Sequence, residues 1–201
     1  IGTQTLEVCR ELNIQVTSIS CGRNLALLKE QILEFHPKYV SVARAEDAKE
    51  LSNWLDSLET KSVNEASSDW QKPTVFYGEE GNRAVACDPD AELVVAAMVG
   101  MAGLKPVIAA LESGHHVALA NKETLVAGGD LVMDLAARRE VELRPVDSEH
   151  SAIWQCLQGA AEPHKELDHI LLTASGGPFR GKTADDLKTV TVSEALDHPT
   201  W

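Results

Sequence analysis

The chain has 201 residues, 44% hydrophobic and 24% charged, enough to bury a core in one large domain or in one domain plus part of a second. A net charge of −13 argues against nucleic acid as the main partner, because phosphate neutralisation needs clustered Lys and Arg; a small anion held by a few donors is compatible with it. The longest uncharged apolar run, Leu93 to Leu104, is too short to cross a bilayer and is broken by glycines. The cysteines, Cys9, Cys21, Cys87 and Cys156, have no CxxC spacing and read as reduced thiols of a cytosol-like compartment.

In chain order, Ile1 to Leu6 reads as the first turn of a helix with no strand before it. Ile14 to Ser20 reads as a strand, and Asn24 to Phe35 as a helix with Leu25, Leu28, Ile32 and Phe35 at spacings of three and four. A short strand, Tyr39 to Val42, precedes a helix from Ala45 to Leu58. The polar stretch from Glu59 to Lys72 reads as a surface loop. Then come strand Thr74 to Tyr77, a short helical turn, strand Leu93 to Val99, helix Lys105 to Ser113 and strand Val117 to Ala120. Helix Glu123 to Arg138, strand Val141 to Val146 and a later apolar strand, Ile170 to Thr173, complete the pattern. Strands alternating with helices at this spacing predict parallel βαβ units, hence an α/β fold with a Rossmann-type, doubly wound, mostly parallel sheet.

Ligands of such sheets bind at the carboxyl ends of the strands, and four segments lie there. In Ser20-Cys21-Gly22-Arg23-Asn24 no acid is present to bond a ribose 2′-hydroxyl, and the Arg23 fork suits a 2′-phosphate, which favours NADP over NAD; an ordinary solvated turn is the alternative. In Asn121-Lys122-Glu123 the lysine could hold a substrate anion, with Asn121 towards a nicotinamide, or the tripeptide is simply a polar helix start. In Val146-Asp147-Ser148-Glu149-His150 two carboxylates on one face would make half of a site for Mg²⁺ or Mn²⁺. On spacing alone, a helix cap by Asp147 or Ser148 is the better reading, and His150 reads as a surface or supporting residue ahead of a metal ligand. In Ser175-Gly176-Gly177 the glycines let backbone amides approach a phosphate and Ser175 adds a hydroxyl, or the loop is plain surface.

Gly176 to Thr183 (GGPFRGKT) also satisfies the pattern of a nucleotide-triphosphate loop. Pro178 removes one amide that such a loop uses, and the β-branched run Thr189 to Val192 leaves little helix behind Lys182.

Taken in order, IGTQTLEV, CGRN, LANKETLVAGG, PVDSEHSAIWQCL, LLTASGGPFR and ALDHPTW resemble the 1-deoxy-D-xylulose 5-phosphate reductoisomerases across nearly the whole chain. The resemblance implies isomerisation of 1-deoxy-D-xylulose 5-phosphate to a branched aldehyde phosphate and its reduction with NADPH to 2-C-methyl-D-erythritol 4-phosphate, in non-mevalonate isoprenoid synthesis. It implies a divalent metal, Mg²⁺ or Mn²⁺ with Co²⁺ as a further candidate. By motif position Asp147 and Glu149 are metal ligands, and with Lys122 they stand at the chemistry. Lys122, Ser148, Glu149, Ser175, His198 and Trp201 are substrate-side residues, Trp201 on a closing flap. Ile1, Gly22, Arg23, Asn24, Asn121 and Glu123 match NADPH-contacting positions.

The resemblance further implies an NADPH-binding domain over residues 1–146 and, over 147–201, the beginning of an α+β catalytic domain. The family's glycine-rich loop is expected before Ile1, and its third metal carboxylate and remaining phosphate-binding residues beyond Trp201. The 201 residues alone are therefore expected not to turn over substrate. The implied partners are a phosphorylated sugar and a second copy in a homodimer, with no nucleic acid and no membrane. The implied location is the bacterial cytoplasm, or a plastid stroma or apicoplast in a eukaryote. Another NADP-dependent dehydrogenase, a non-catalytic NADPH-binding domain and, remotely, a P-loop protein are the alternatives.

Overall fold

A computed structural model describes residues 1–62, 71–174 and 176–197. The chain divides into two compact units, Ile1–Val146 and Asp147–Trp201. The first opens with α1 (Gly2–Glu11), then alternates β1 (Ser18–Cys21), α2 (Leu25–Phe35), β2 (Tyr39–Val42), α3 (Ala45–Ser62), β3 (Thr74–Tyr77) and α4 (Gly78–Ala86). It continues with β4 (Leu93–Ala96), a 3-10 turn at Gly100–Gly103, α5 (Leu104–Glu112), β5 (His116–Leu119), α6 (Glu123–Arg139) and β6 (Leu143–Pro145).

The strands form two three-stranded sheets, ordered β1-β2-β3 and β4-β5-β6, and every described ladder is parallel. Register pairs Cys21 with Val42 and Val42 with Tyr77, so the first three strands end level with one another. The α/β alternation predicted by apolar periodicity is thus the observed one. The strands are shorter than the apolar runs suggested. Ile14, Val16, Thr17 and Ala97 to Val99 carry apolar or β-branched side chains but lie outside the ladders. The short turn expected after Tyr77 is a nine-residue helix, α4.

Each sheet has its own apolar cluster. Ile19, Val40 and Val42 pack on Leu28 and Ile32 of α2 and on Ala48, Leu51 and Leu55 of α3. Val117 and Leu119 pack with Val107, Ala110 and Leu111 of α5 and Val132, Leu135 and Ala136 of α6. The helical residues recur at three- and four-residue spacing because only one stripe of each helix faces a sheet.

α4 ties the two halves of this unit together. A Cβ on Gly81 would lie 2.7 Å from Ser41 Oγ and 3.0 Å from Phe76 Cβ, so only glycine lets α4 come this close to β2 and β3. The next residue, Asn82, accepts hydrogen bonds from Ser20 Oγ at 2.6 Å and Ser41 Oγ at 3.0 Å. Beyond α4, Asp88 is 1% exposed and accepts from Ser18 Oγ at 2.5 Å and from the Asp90 N–H at 3.0 Å. The approach to β4 is thereby fixed to the start of β1.

The second unit contains α7 (Ser148–Leu157), α8 (Pro163–Glu166), 3-10 turns at Gly177–Phe179 and Asp186–Thr189, and α9 (Val192–Leu196). The strand expected at Ile170 to Thr173 does not form among the described residues. Ile170, Leu171 and Leu172 are 50%, 80% and 66% exposed and have no neighbouring strand among the described residues to take their backbone groups. The β-branched run Thr189 to Val192 also forms no strand: Thr189 ends a 3-10 turn, and Thr191 and Glu194 form a reciprocal cap that starts α9 at Val192. Among the described residues no helix is long and apolar enough to cross a membrane.

Candidate functional site

The turn after β1 is built for exposure. Cys21 ends the strand with its thiol pushed above its usual pKa, chiefly by burial, so it stays protonated at neutral pH. Gly22, Arg23 and Asn24 are exposed, and a Cβ on Gly22 would meet nothing within 4 Å. Asn24 caps α2, its Oδ1 accepting from the Leu27 N–H at 3.1 Å. One strand over, Arg44 grips Asp47 with both prongs of its fork, at 2.9 and 2.7 Å. The Arg44 bond, aided by the charge of Arg23, holds the Asp47 carboxyl below its ordinary pKa. The acid at this edge is therefore already ion-paired with Arg44, and Arg23 stands exposed beside it. In the sequence, the only signal for the Arg44–Asp47 pair is its i,i+3 spacing at a helix start.

The turn after β5 is packed instead. Asn121 is 2% and Thr124 0% exposed, while Lys122 and Glu123 face solvent. The Asn121 amide nitrogen donates to the carbonyl oxygens of Met98 and Gly100, the latter at 2.8 Å. Its Oδ1 accepts from the Thr124 N–H at 2.9 Å and the Thr124 hydroxyl at 2.6 Å. An amide side chain has two N–H donors and two acceptor lone pairs, and all four are used inside the fold. Ile1, the remaining expected cofactor-side residue in this unit, precedes α1 and accepts from the Thr5 N–H at 2.8 Å.

In the second unit Asp147 is the N-cap of α7. Its Oδ1 accepts from the His150 N–H at 2.7 Å, and its two oxygens lie 2.8 and 2.7 Å from His150 Nδ1. Glu149 lies in the first helical turn, half-buried, and Ser148 opens the helix exposed. Asp147 is extended and Glu149 helical, so strand alternation does not set their relation; the cap does. Two hard carboxylate donors two residues apart fit Mg²⁺ or Mn²⁺, which tolerate few protein ligands and keep water or substrate oxygens as the rest. Among the described residues no group of three His, Cys, Asp or Glu completes a cage. Ser175, His198 and Trp201 lie outside the described residues.

The loop that mimics a triphosphate-binding motif has none of that motif's architecture. Among the described residues no strand leads into it, Gly177–Phe179 is a 3-10 turn, and Thr183 spends its hydroxyl on Asp186 Oδ2 at 2.7 Å. Behind Thr183 stands a four-residue 3-10 turn, Asp186–Thr189, rather than a long helix.

Comparison with known proteins covers both units. The family model described as 1-deoxy-D-xylulose 5-phosphate reductoisomerase matches residues 1–129, and that of the same enzyme's C-terminal domain matches residues 143–201. The chain belongs to the 1-deoxy-D-xylulose 5-phosphate reductoisomerase family. Among reductoisomerases of that name, one from Lachnoclostridium phytofermentans is 48% identical over 100% of this chain and 48% of its own length. A chloroplastic one from Oryza sativa subsp. japonica is 47% identical over 100% of this chain and 40% of its own. A crystal structure of a reductoisomerase in complex with NADPH, fosmidomycin and magnesium superposes with TM-score 0.77 at 31% identity, over 100% of this chain and 48% of that one. The Zymomonas mobilis reductoisomerase with NADPH gives 0.76 at 32%, over 97% and 48%. The chain spans about half the length of the curated relatives it matches.

Proposed function

We propose that this chain is the cofactor-binding and metal-initiating part of an enzyme that converts 1-deoxy-D-xylulose 5-phosphate to 2-C-methyl-D-erythritol 4-phosphate with NADPH and a divalent cation. The observation that carries the reading is the match to both reductoisomerase family models, over residues 1–129 and 143–201. The related structures in complex with NADPH and magnesium support the choice of cofactors.

In this reading residues 1–146 form the NADPH-binding domain and 147–201 begin the catalytic domain. Ile1, Gly22, Arg23, Asn24, Asn121 and Glu123 form the cofactor set. Arg23, beside the ion-paired Asp47, attracts the 2′-phosphate and sets the preference over NADH. Lys122, exposed at the start of α6, draws in the anionic substrate. Asp147 and Glu149 hold the cation from the first turn of α7, and Ser148 between them offers a hydroxyl to the substrate. Ser175, His198 and Trp201 complete the substrate side. When bound, NADPH supplies the hydride, and the cation polarises the substrate's carbonyl and adjacent hydroxyl oxygens. Asp147 stays anchored while it does so, because its Oδ1 is fixed by the His150 N–H.

Manganese serves as well as magnesium, since both are hard, oxygen-preferring ions. The working enzyme is a homodimer, placed in the cytoplasm of a bacterium or in a plastid, in line with bacterial and chloroplastic relatives. The test is a fluorescence titration of the intact enzyme with NADPH and NADH, then identification of the product from 1-deoxy-D-xylulose 5-phosphate. Tighter NADPH binding and formation of the erythritol phosphate are expected. NADPH binding with no conversion would leave a nucleotide-binding domain with another substrate.

A further inference from the structure

Asn121 stands at the end of β5, where a cofactor amide contact was expected, yet its side chain has no hydrogen-bonding capacity left for a ligand. Both amide hydrogens go to the loop after β4, at Met98 and Gly100, and the oxygen takes two bonds from Thr124 in α6. The backbone N–H is committed too: it donates to the Ala96 carbonyl at 3.1 Å. The pin also fixes a neighbour. A Cβ on Gly103 would sit 3.1 Å from both Asn121 Cγ and Nδ2, closer than a side chain there can rest without moving the amide. Beside this buried cluster the two candidate ligand surfaces are exposed. One is the loop carrying Val99 and Met101, 88% and 55% exposed, and the other is the Lys122-Glu123 pair.

We infer that Thr124 and Gly103 are positioning residues that act through Asn121, which locks the loop after β4 to the start of α6 and so sets the spacing of the surfaces that receive NADPH. Asn121 thus contributes to cofactor binding by holding backbone and neighbours in place, its own amide being committed to Met98, Gly100 and Thr124. The inference rests on the NADPH-binding reading above. The Thr124 hydroxyl matters because it is one of the two bonds that orient Oδ1; without it the amide can rotate and release the loop carbonyls. A serine at position 124 keeps that bond and a valine of similar shape does not.

The experiment compares Thr124→Val, Thr124→Ser, Gly103→Ala and Asn121→Ala in the intact enzyme by NADPH titration, and measures amide hydrogen exchange over residues 98–104 without ligand. Losing one neutral hydrogen bond and loosening the loop should raise the Kd for NADPH about 3- to 10-fold in Thr124→Val. Exchange over 98–104 should quicken in the same variant. Gly103→Ala should do the same, and Thr124→Ser should restore both readouts to within about twofold of the parent. If only Asn121→Ala loses NADPH while Thr124→Val and Gly103→Ala bind normally, Asn121 touches the cofactor directly and the inference is overturned. Unchanged exchange in Thr124→Val overturns it too, whatever the affinity. A parent enzyme that binds no NADPH overturns the functional reading itself, and the exchange data then still report whether the lock exists.

Discussion

Exchanging Asp147 for asparagine separates two jobs of one carboxylate. As the N-cap of α7 it needs only an oxygen that accepts the His150 N–H, now 2.7 Å from Oδ1, and asparagine supplies that oxygen as well as aspartate does. The substitution removes the negative charge at the helix N-terminus, about 0.3–1 kcal/mol at a partly exposed position. It also removes the charge facing the His150 ring, but with that ring 61% exposed the pair adds only about 0–1 kcal/mol. Asp147→Ala loses the cap as well, about 1 kcal/mol more. In the proposed metal site, by contrast, Asp147 provides one of the two charges at the start of α7. Asp147→Asn should therefore weaken Mn²⁺ binding at least tenfold, about 1.4 kcal/mol, while leaving α7 folded. Thermal unfolding and Mn²⁺ titration of the two variants in the intact enzyme separate these effects. An Asp147→Asn protein with parental Mn²⁺ affinity would make the carboxylate a cap and nothing else. One destabilised as much as Asp147→Ala would refute the capping argument.

The first unit yields three further outcomes. Burial alone would raise the Asp88 carboxyl, but the hydroxyls of Ser18 and Thr17 and the Asp90 N–H hold it below its usual pKa. It therefore contributes stability above the unfolded pKa of about 4, and that contribution disappears as pH falls through the lower folded value. Asp88→Asn should show a flatter loss of Tm on acidification than the parent, and an equally steep one would contradict the assignment. Gly81→Ala should cost about 1–3 kcal/mol in denaturant unfolding, because its methyl group would press on Ser41 and on Phe76 of β3; a neutral result would mean that α4 can shift. Arg23→Ala should weaken NADPH binding about tenfold or more with little change for NADH, and equal losses for both would remove Arg23 from the 2′-phosphate site.

The fold was legible in the sequence wherever one stripe of a helix or one short apolar run meets a sheet. Leu28 and Ile32, Leu51 and Leu55, Val107 and Leu111 mark their helices by spacing alone. Ile170 to Thr173 misled for a physical reason: an apolar run becomes a strand only if a neighbour takes its backbone bonds, and no property of the run itself encodes that neighbour. At the site, the Asp147 cap of α7 was legible from residue type and position. The hydrogen-bond partners of Asn121 were not, because Met98 and Gly100 are distant in sequence and only the fold brings them to its amide. Asp147 showed both faces of the difficulty. Its spacing spoke for a cap, and the cap is there, while the metal reading rests on the family.

The most direct test of the central proposal is NADPH oxidation by the intact enzyme with 1-deoxy-D-xylulose 5-phosphate, measured with Mn²⁺ and after its removal by a chelator. The proposal predicts oxidation that stops on chelation and returns when Mn²⁺ is restored. A folded enzyme that binds NADPH but shows no metal-dependent oxidation with this substrate would contradict it.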